Sequence, residues 1–376
     1  MDFDALDAGT AYALFRHGQD VQTEDLARIL REPRQVQVHL TDDDPDIRGE
    51  APEPLDFSTV VMPESWDEYI GQEPLKRQMS VYISQAIKQG TRLPHTLFAS
   101  GVAGVGKTTA ARLTAKMLGV EIIELVPPFN VYTLAQAAEQ LNDRDILFID
   151  EIHGLANNGK KGAEILLKAL EDAVIHLPNG EVVYLNDITF IGATTDRDKL
   201  PEPVIDRFKI KPYFQPYSIP DLAQIAAVFV GKHNAFTAVD SDLGVAMARA
   251  CRGVPRVIEE MVMAANAIEV TLGTGPTPEQ LLGFLEVEPD GLTRTHIHYL
   301  TALRQLFKRT LRDGTVEYVT GEGTMLNLLR ETKQGIGRVE RYLTEQGMID
   351  RSPRGRRLTA LGLARAEQLI AAGKGL

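Results

Sequence analysis

The stretch Gly101-Val-Ala-Gly104-Val-Gly106-Lys107-Thr108 satisfies the spacing G-x-x-x-x-G-K-[ST] at every position. Chemistry explains those residue types. Gly101, Gly104 and Gly106 let backbone N–H groups close around phosphate oxygens, and a helix starting just after them aims its positive end at the same place. Lys107 would reach the β- and γ-phosphates. The Thr108 hydroxyl would ligate Mg²⁺, with Thr109 the next residue of the loop. A second group follows: Asp145-Ile-Leu-Phe-Ile-Asp150-Glu151, an apolar run ending in two carboxylates. Asp150 would hold Mg²⁺ through water, and Glu151 would orient and polarise an attacking water. A buried strand ending in Asp-Glu is common by itself; downstream of a phosphate loop it is the Walker B pattern. Ile188-Thr-Phe-Ile-Gly-Ala-Thr194-Thr195 is another apolar run, ending in hydroxyls, and Asp206-Arg207-Phe208 comes next. These groups imply ATP and Mg²⁺ as ligands.

Such groups need a frame. Leu97 to Ser100 reads as the end of a short buried strand, and Thr109 to Leu118 has apolar residues at helical spacing, so the loop lies between strand and helix. This context separates it from a chance glycine-rich turn. Strands alternate with helices across 95–215, the pattern of a doubly wound parallel sheet with active groups at the C-terminal strand ends. Glu73 to Gln89 reads as a helix, and Val174 to Leu185 as a β-hairpin turning at Asn179-Gly180. Ser218-Ile-Pro-Asp221 reads as an N-cap. The helical patterns after it are Leu222–Lys232, Ser241–Cys251, Pro255–Leu272 and Pro278–Phe284. Residues 289–376 hold several helical patterns and close on a basic hairpin, Gly347 to Thr359, with Pro353-Arg354-Gly355 at its tip. Helices followed by a basic β-ribbon suggest a winged helix.

The chain has 376 residues, 44% hydrophobic and 24% charged, which implies several domains. Four are expected: an acidic extension and linker at 1–55, a nucleotide-binding domain at 56–215, a helical lid at 216–288 and a winged helix at 289–376. No stretch is long and apolar enough to span a membrane, and the acidic start has no secretory pattern, so a cytoplasmic location is expected. The one cysteine, Cys251, excludes an internal disulfide and reads as a small buried apolar residue. Charge is uneven: residues 1–60 carry 14 Asp/Glu against 5 Lys/Arg, while residues 291–376 carry 15 Lys/Arg against 8 Asp/Glu. A net charge of −12 argues against wholesale DNA coating but leaves room for a local contact at the basic end.

Taken together, Asp67-Glu-Tyr-Ile-Gly-Gln72, GVAGVGKTT, LFIDEIH ending at His153, FIGATT ending at Thr195, Asp206-Arg-Phe208, Tyr217-Ser-Ile-Pro-Asp-Leu222, Arg252-Gly-Val-Pro-Arg256 and Arg351-Ser-Pro-Arg-Gly-Arg356 resemble the AAA+ ATPases. Among these they resemble the RuvB family of bacterial branch-migration motors, in that family's order. The resemblance implies an α/β P-loop NTPase with a helical lid and a C-terminal winged helix. It implies that Tyr69 and Ile70 pack against adenine and that Thr195 senses the γ-phosphate, with Thr194 beside it. Arg207 would be an arginine finger donated to a neighbouring subunit, which implies a homo-oligomeric ring, a hexamer in this family. Tyr217 and Arg256 would close over the nucleotide from the lid. Arg351 and Arg356, with Arg354 and Arg357 nearby, would contact duplex DNA or a four-way junction in recombination and repair. A junction-binding or replication protein is the further partner implied.

Each assignment has a plainer alternative. Arg207 could be a surface arginine, Arg256 could pair with Glu259 or Glu260, Tyr217 could be core, and the Arg351–Arg357 cluster could be a solvated face. His153 reads as structural or coupling. The chain also departs from the family pattern. The acidic head is extra, Val102-Ala103 replace a Pro-Pro pair, Met62 stands where an arginine is usual, the 174–185 hairpin is short, and 305–325 fits the winged helix poorly. An ATP-switched loader that recruits a helicase or clamp is therefore the alternative to a helicase-type motor.

Overall fold

The computed structural model describes residues 63–156, 160–232, 241–311, 314–352 and 355–375. The acidic extension at 1–55 and Arg354 lie outside the described residues. Helix α1 (Glu73–Gln89) leads into β1 (Thr96–Ala99), and the phosphate loop joins β1 to α2 (Lys107–Leu118). Then come β2 (Ile122–Leu125), α3 (Val131–Glu139), β3 (Ile146–Ile149), α4 (His153–Ala156), α5 (Lys160–Glu171), β4 (Val174–His176), β5 (Val182–Tyr184), β6 (Thr189–Thr194) and α6 (Glu202–Arg207). Four strands form a parallel sheet in the order β1-β6-β3-β2. Thr96↔Ile210 and Ala99↔Tyr213 add a short parallel edge beside β1.

The sheet is buried on both faces, which explains why its central strands are continuous apolar runs. Successive side chains point to opposite sides, so each strand feeds two cores. Leu97, Leu147, Ile149 and Phe190 enter one cluster with α3 and α5. Phe98, Ile146, Phe148 and Ile191 enter the other, with α1 and α2.

Helices α7 (Ile219–Lys232), α8 (Ser241–Ala250), α9 (Pro255–Leu272) and α10 (Pro278–Phe284) surround a core of their own containing Leu222, Met247, Cys251 and Ile258. Cys251 is fully buried, and burial pushes its thiol pKa up. The last unit has α11 (Arg294–Leu306), β7 (Lys308–Thr310), β8 (Val316–Thr320), α12 (Glu322–Leu329), α13 (Lys333–Glu345), β9 (Ile349–Ser352), β10 (Gly355–Leu358) and α14 (Ala360–Ala371). Its sheet is antiparallel, in the order β7-β8-β10-β9.

One local expectation needs correction. Residues 305–325 supply β7 and β8 of the winged-helix sheet. The strand β7 shows no apolar period because all three of its residues are exposed. Helix α2 begins at Lys107, directly after the loop glycines, where the Gly106 carbonyl accepts the Ala110 N–H at 2.9 Å. Helix α7 begins at Ile219, as the Ser218 cap predicts: the Ser218 carbonyl accepts the Leu222 N–H and the Ser218 hydroxyl accepts the Asp221 N–H.

Candidate active site

The phosphate loop is shaped by two glycines. Gly104 and Gly106 have φ of 78° and 94°, in the left-handed region that side chains disfavour. A Cβ on Gly106 would lie 2.4 Å from the Tyr69 hydroxyl, and one on Gly104 would meet Val254 and Arg256 at 3.0 Å. Both positions therefore demand glycine for conformation and for space. Two tyrosines hold the loop from outside. The Tyr69 hydroxyl donates to the Gly106 carbonyl at 3.2 Å, and that of Tyr217 donates to the Val105 carbonyl at 3.2 Å. With those carbonyls engaged outward, neighbouring N–H groups are left to face a ligand. Burial pushes both phenol pKa values up, so each hydroxyl keeps its proton for donation.

Lys107 is nearly enclosed at 6% exposure, and its ammonium donates to the Ser100 hydroxyl at 2.8 Å. Burial lowers its pKa; Glu151 and Asp150 act in the opposite sense. Ser100 escaped notice in the sequence, where it reads only as the last residue of a strand. Thr108 and Thr109 follow in the first turn of α2.

Asp150 and Glu151 emerge at the C-terminal end of β3, beside the end of β6. Burial and the neighbouring Glu151 charge push the Asp150 carboxyl above its usual pKa. Glu151 is strained at φ 46°, a conformation rare outside glycine, and its N–H donates to Asp150 Oδ1 at 3.0 Å. The Thr195 hydroxyl sits 2.8 and 2.9 Å from the two Glu151 oxygens, and the Thr195 N–H donates to Oε2 at 3.0 Å. His153 Nδ1 lies 3.2 Å from Glu151 Oε2 and 3.0 Å from the Thr194 hydroxyl. Thr195 thus holds Glu151 through both its hydroxyl and its backbone N–H.

Arg256 faces the loop across Gly104, whose carbonyl accepts the Arg256 N–H at 3.4 Å. Among the described residues it forms no ion pair with Glu259 or Glu260. Ile70 lines a cleft of about 440 Å³ with Tyr69, Thr109, Tyr217 and Phe229, an apolar slot opening at the loop. Arg207 takes no part in this cluster. It forms a two-point pair with Glu171 at 2.9 and 3.2 Å and rims a separate cleft beside Arg92 and Lys209.

The basic hairpin forms as β9–β10, but its described arginines, Arg351, Arg356 and Arg357, are committed within the chain. Arg356, with a side chain only 14% exposed, pairs with Glu340 at 2.9 Å and Glu322 at 3.2 Å. Arg351 also reaches Glu340, at 3.2 Å, and Arg357 pairs with Glu317 and Asp350 at 3.0 and 3.1 Å. Arg356, expected as a DNA contact, is turned inward, because the fully buried Glu340 needs a counter-charge. Arg351 and Arg357 remain about half exposed.

Residues 61–213 match the family described as the Holliday junction DNA helicase RuvB P-loop domain, and residues 289–366 match the RuvB C-terminal winged helix domain. A relative from Lactobacillus gasseri, named Holliday junction branch migration complex subunit RuvB, is 33% identical over 310 residues, covering 79% of this chain and 88% of its own length. One of the same name from Paramagnetospirillum magneticum is 32% identical over 326 residues, covering 82% and 89%. The solved structure of the Thermotoga maritima RuvB Holliday junction branch migration motor shares the fold, with a TM-score of 0.69 at 24% identity over 82% of this chain and 98% of that one. Motifs that converge on one site, two matched domains and a third of all positions shared over four fifths of the length make this chain a member of the RuvB family.

Proposed function

We propose that this chain is an ATP-hydrolysing DNA motor that works as a ring and moves duplex DNA at four-way junctions. The observation that carries the reading is the division of the catalytic groups. Lys107, Asp150, Glu151, Thr195, Tyr217 and Arg256 gather at one loop, whereas Arg207 is held by Glu171 elsewhere on the chain. A site built without its arginine finger needs a second copy to supply it, in trans. Residues 56–215 are taken as the nucleotide-binding unit, 216–288 as the lid and 289–376 as the DNA-contacting unit. Their separate hydrophobic cores support this division. The ring is a hexamer by analogy with the family, and the location is cytoplasmic. Among the described residues no helix is long and apolar enough to cross a membrane.

Mg²⁺ fits the donor set. Thr108 and Asp150 would hold it, together with phosphate oxygens and water, which is how Mg²⁺ is usually bound. Asp150, whose ionisation burial and the neighbouring Glu151 charge disfavour, suits a site completed by a divalent cation. When bound, the cation neutralises charge on the transferring phosphoryl group. Lys107 and the loop N–H groups bind and orient the phosphates. Tyr69, Ile70 and Tyr217 close on the base side. Thr195 turns from Glu151 to the γ-phosphate, and Glu151, so released, takes the water proton. Family membership favours this motor over the loader.

Mixing two inactive variants tests the shared site. Lys107→Ala and Arg207→Ala should each hydrolyse almost no ATP. Mixed in equal amounts in a ring, they should regain about a quarter of wild-type turnover, because some junctions pair an intact loop with an intact finger. No recovery, or normal turnover of Arg207→Ala alone, removes the shared site. For DNA, replacing Arg351 and Arg357 together should lower the salt slope of binding by about 2.

A further inference from the structure

Three consecutive residues of α13 address three parts of the molecule. Glu340 is buried and holds the wing, accepting from the Tyr299 hydroxyl at 2.9 Å and pairing with Arg356 and Arg351. The Tyr342 hydroxyl donates to the Asp290 carbonyl at 2.5 Å, in the segment arriving from the lid, and its ring lies edge-on to His296 at 5.2 Å. Between them, Arg341 reaches the phosphate loop. Its Nη1 lies 3.9 Å from the point a Cβ on Gly101 would occupy, beside the Tyr213 hydroxyl at 3.4 Å from the same point.

Charge and exposure suit Arg341 to a ligand. Its side chain is exposed, and among the described residues it has no ion pair, unlike Arg351, Arg356, Arg357 and Arg365. The loop already balances Lys107 and Arg256 against Asp150 and Glu151. ATP brings more negative charge than one Mg²⁺ neutralises, and Arg207 is engaged with Glu171 elsewhere. We infer that Arg341 is a phosphate ligand which the winged-helix unit supplies to the nucleotide bound by its own chain. The inference rests on reading Gly101–Thr108 as the nucleotide loop.

Since Glu340 and Arg341 are neighbours on one rigid helix, occupancy of the loop bears directly on the helix that anchors the wing. By linkage, whatever the wing binds must change nucleotide affinity by the same factor that nucleotide changes its own.

The test is calorimetric titration of the full chain with AMP, ADP and β,γ-imido-ATP in wild type, Arg341→Ala and Arg341→Lys. Arg341→Ala should weaken ADP and the imido analogue roughly 3- to 10-fold, the size expected of one exposed charge-assisted contact, with AMP unchanged. Arg341→Lys should recover part of the loss. Unchanged affinity of Arg341→Ala for both ADP and the analogue overturns the inference, and so does equal weakening of all three ligands, which marks a purely structural role. Lys107→Ala serves as the control for the loop: if it binds ADP as tightly as wild type, the nucleotide reading itself falls, independently of Arg341.

Discussion

At the scale of single residues, Gly106 serves both the fold and the binding of phosphate, whereas Asp150 serves binding at a cost to stability. A side chain at Gly106 would meet the Tyr69 hydroxyl at 2.4 Å while holding φ at 94°. Gly106→Ala should therefore push Tyr69 off the loop. It should cost about 1–3 kcal/mol in urea unfolding and weaken ADP binding at least tenfold by fluorescence titration. Asp150 behaves in the opposite sense. Burial and Glu151 raise its pKa, so the folded state disfavours its ionised form. For an acid with a raised folded pKa, the cost is present at neutral pH and relaxes as pH falls through that pKa. Asp150→Asn should raise the nucleotide-free Tm by roughly 1–3 °C and abolish Mg²⁺-dependent ATP turnover. A lowered Tm in calorimetry would contradict the assignment of its cause.

At the scale of elements, the wing depends on α13. The β9–β10 hairpin has short strands, and a two-stranded ribbon is marginal without support. Support comes from β8 on one side and from Glu340, whose carboxylate is wholly buried beneath Arg356 and Arg351. Glu340→Ala would leave Arg356 short of its main counter-ion. The expected loss is about 3–5 kcal/mol in denaturant unfolding, the cost of breaking a buried pair. Hydrogen exchange should locate the loosening in 349–358, with the parallel sheet unaffected.

At the scale of the whole molecule, the lid and the winged helix are tied across a short junction. Arg365 on α14 forks onto Asp290 at 2.8 and 3.1 Å and onto Glu288 at 3.2 Å, while Tyr342 holds the Asp290 carbonyl. Rotation of the lid around the nucleotide would thus be passed to the wing, because the joint has little freedom to absorb it. Arg365→Ala should leave basal ATPase within about twofold of wild type and reduce its stimulation by duplex DNA several-fold, since the half-buried pairs it makes join two units and lie away from the phosphate loop. Undiminished stimulation would show that the joint transmits nothing.

Residues 97–118 and 145–151 were legible because their chemistry is local: glycine spacing, a lysine, an apolar strand and its two terminal carboxylates are consecutive in the chain. The Asn179-Gly180 hairpin and the helices from 255 to 284 were legible for the same reason, since turn type and helical period are short-range properties. The three-residue strand β7 was not, because exposed Lys308, Arg309 and Thr310 carry no period to detect. The sequence by itself determined which residues could bind phosphate and activate water. Only the tertiary structure decided that Thr195 holds Glu151, that Glu340 draws Arg356 inward and that Arg341 stands at Gly101. Those pairings join positions far apart in the chain, and they depend on packing distances and buried charge, which no local pattern records.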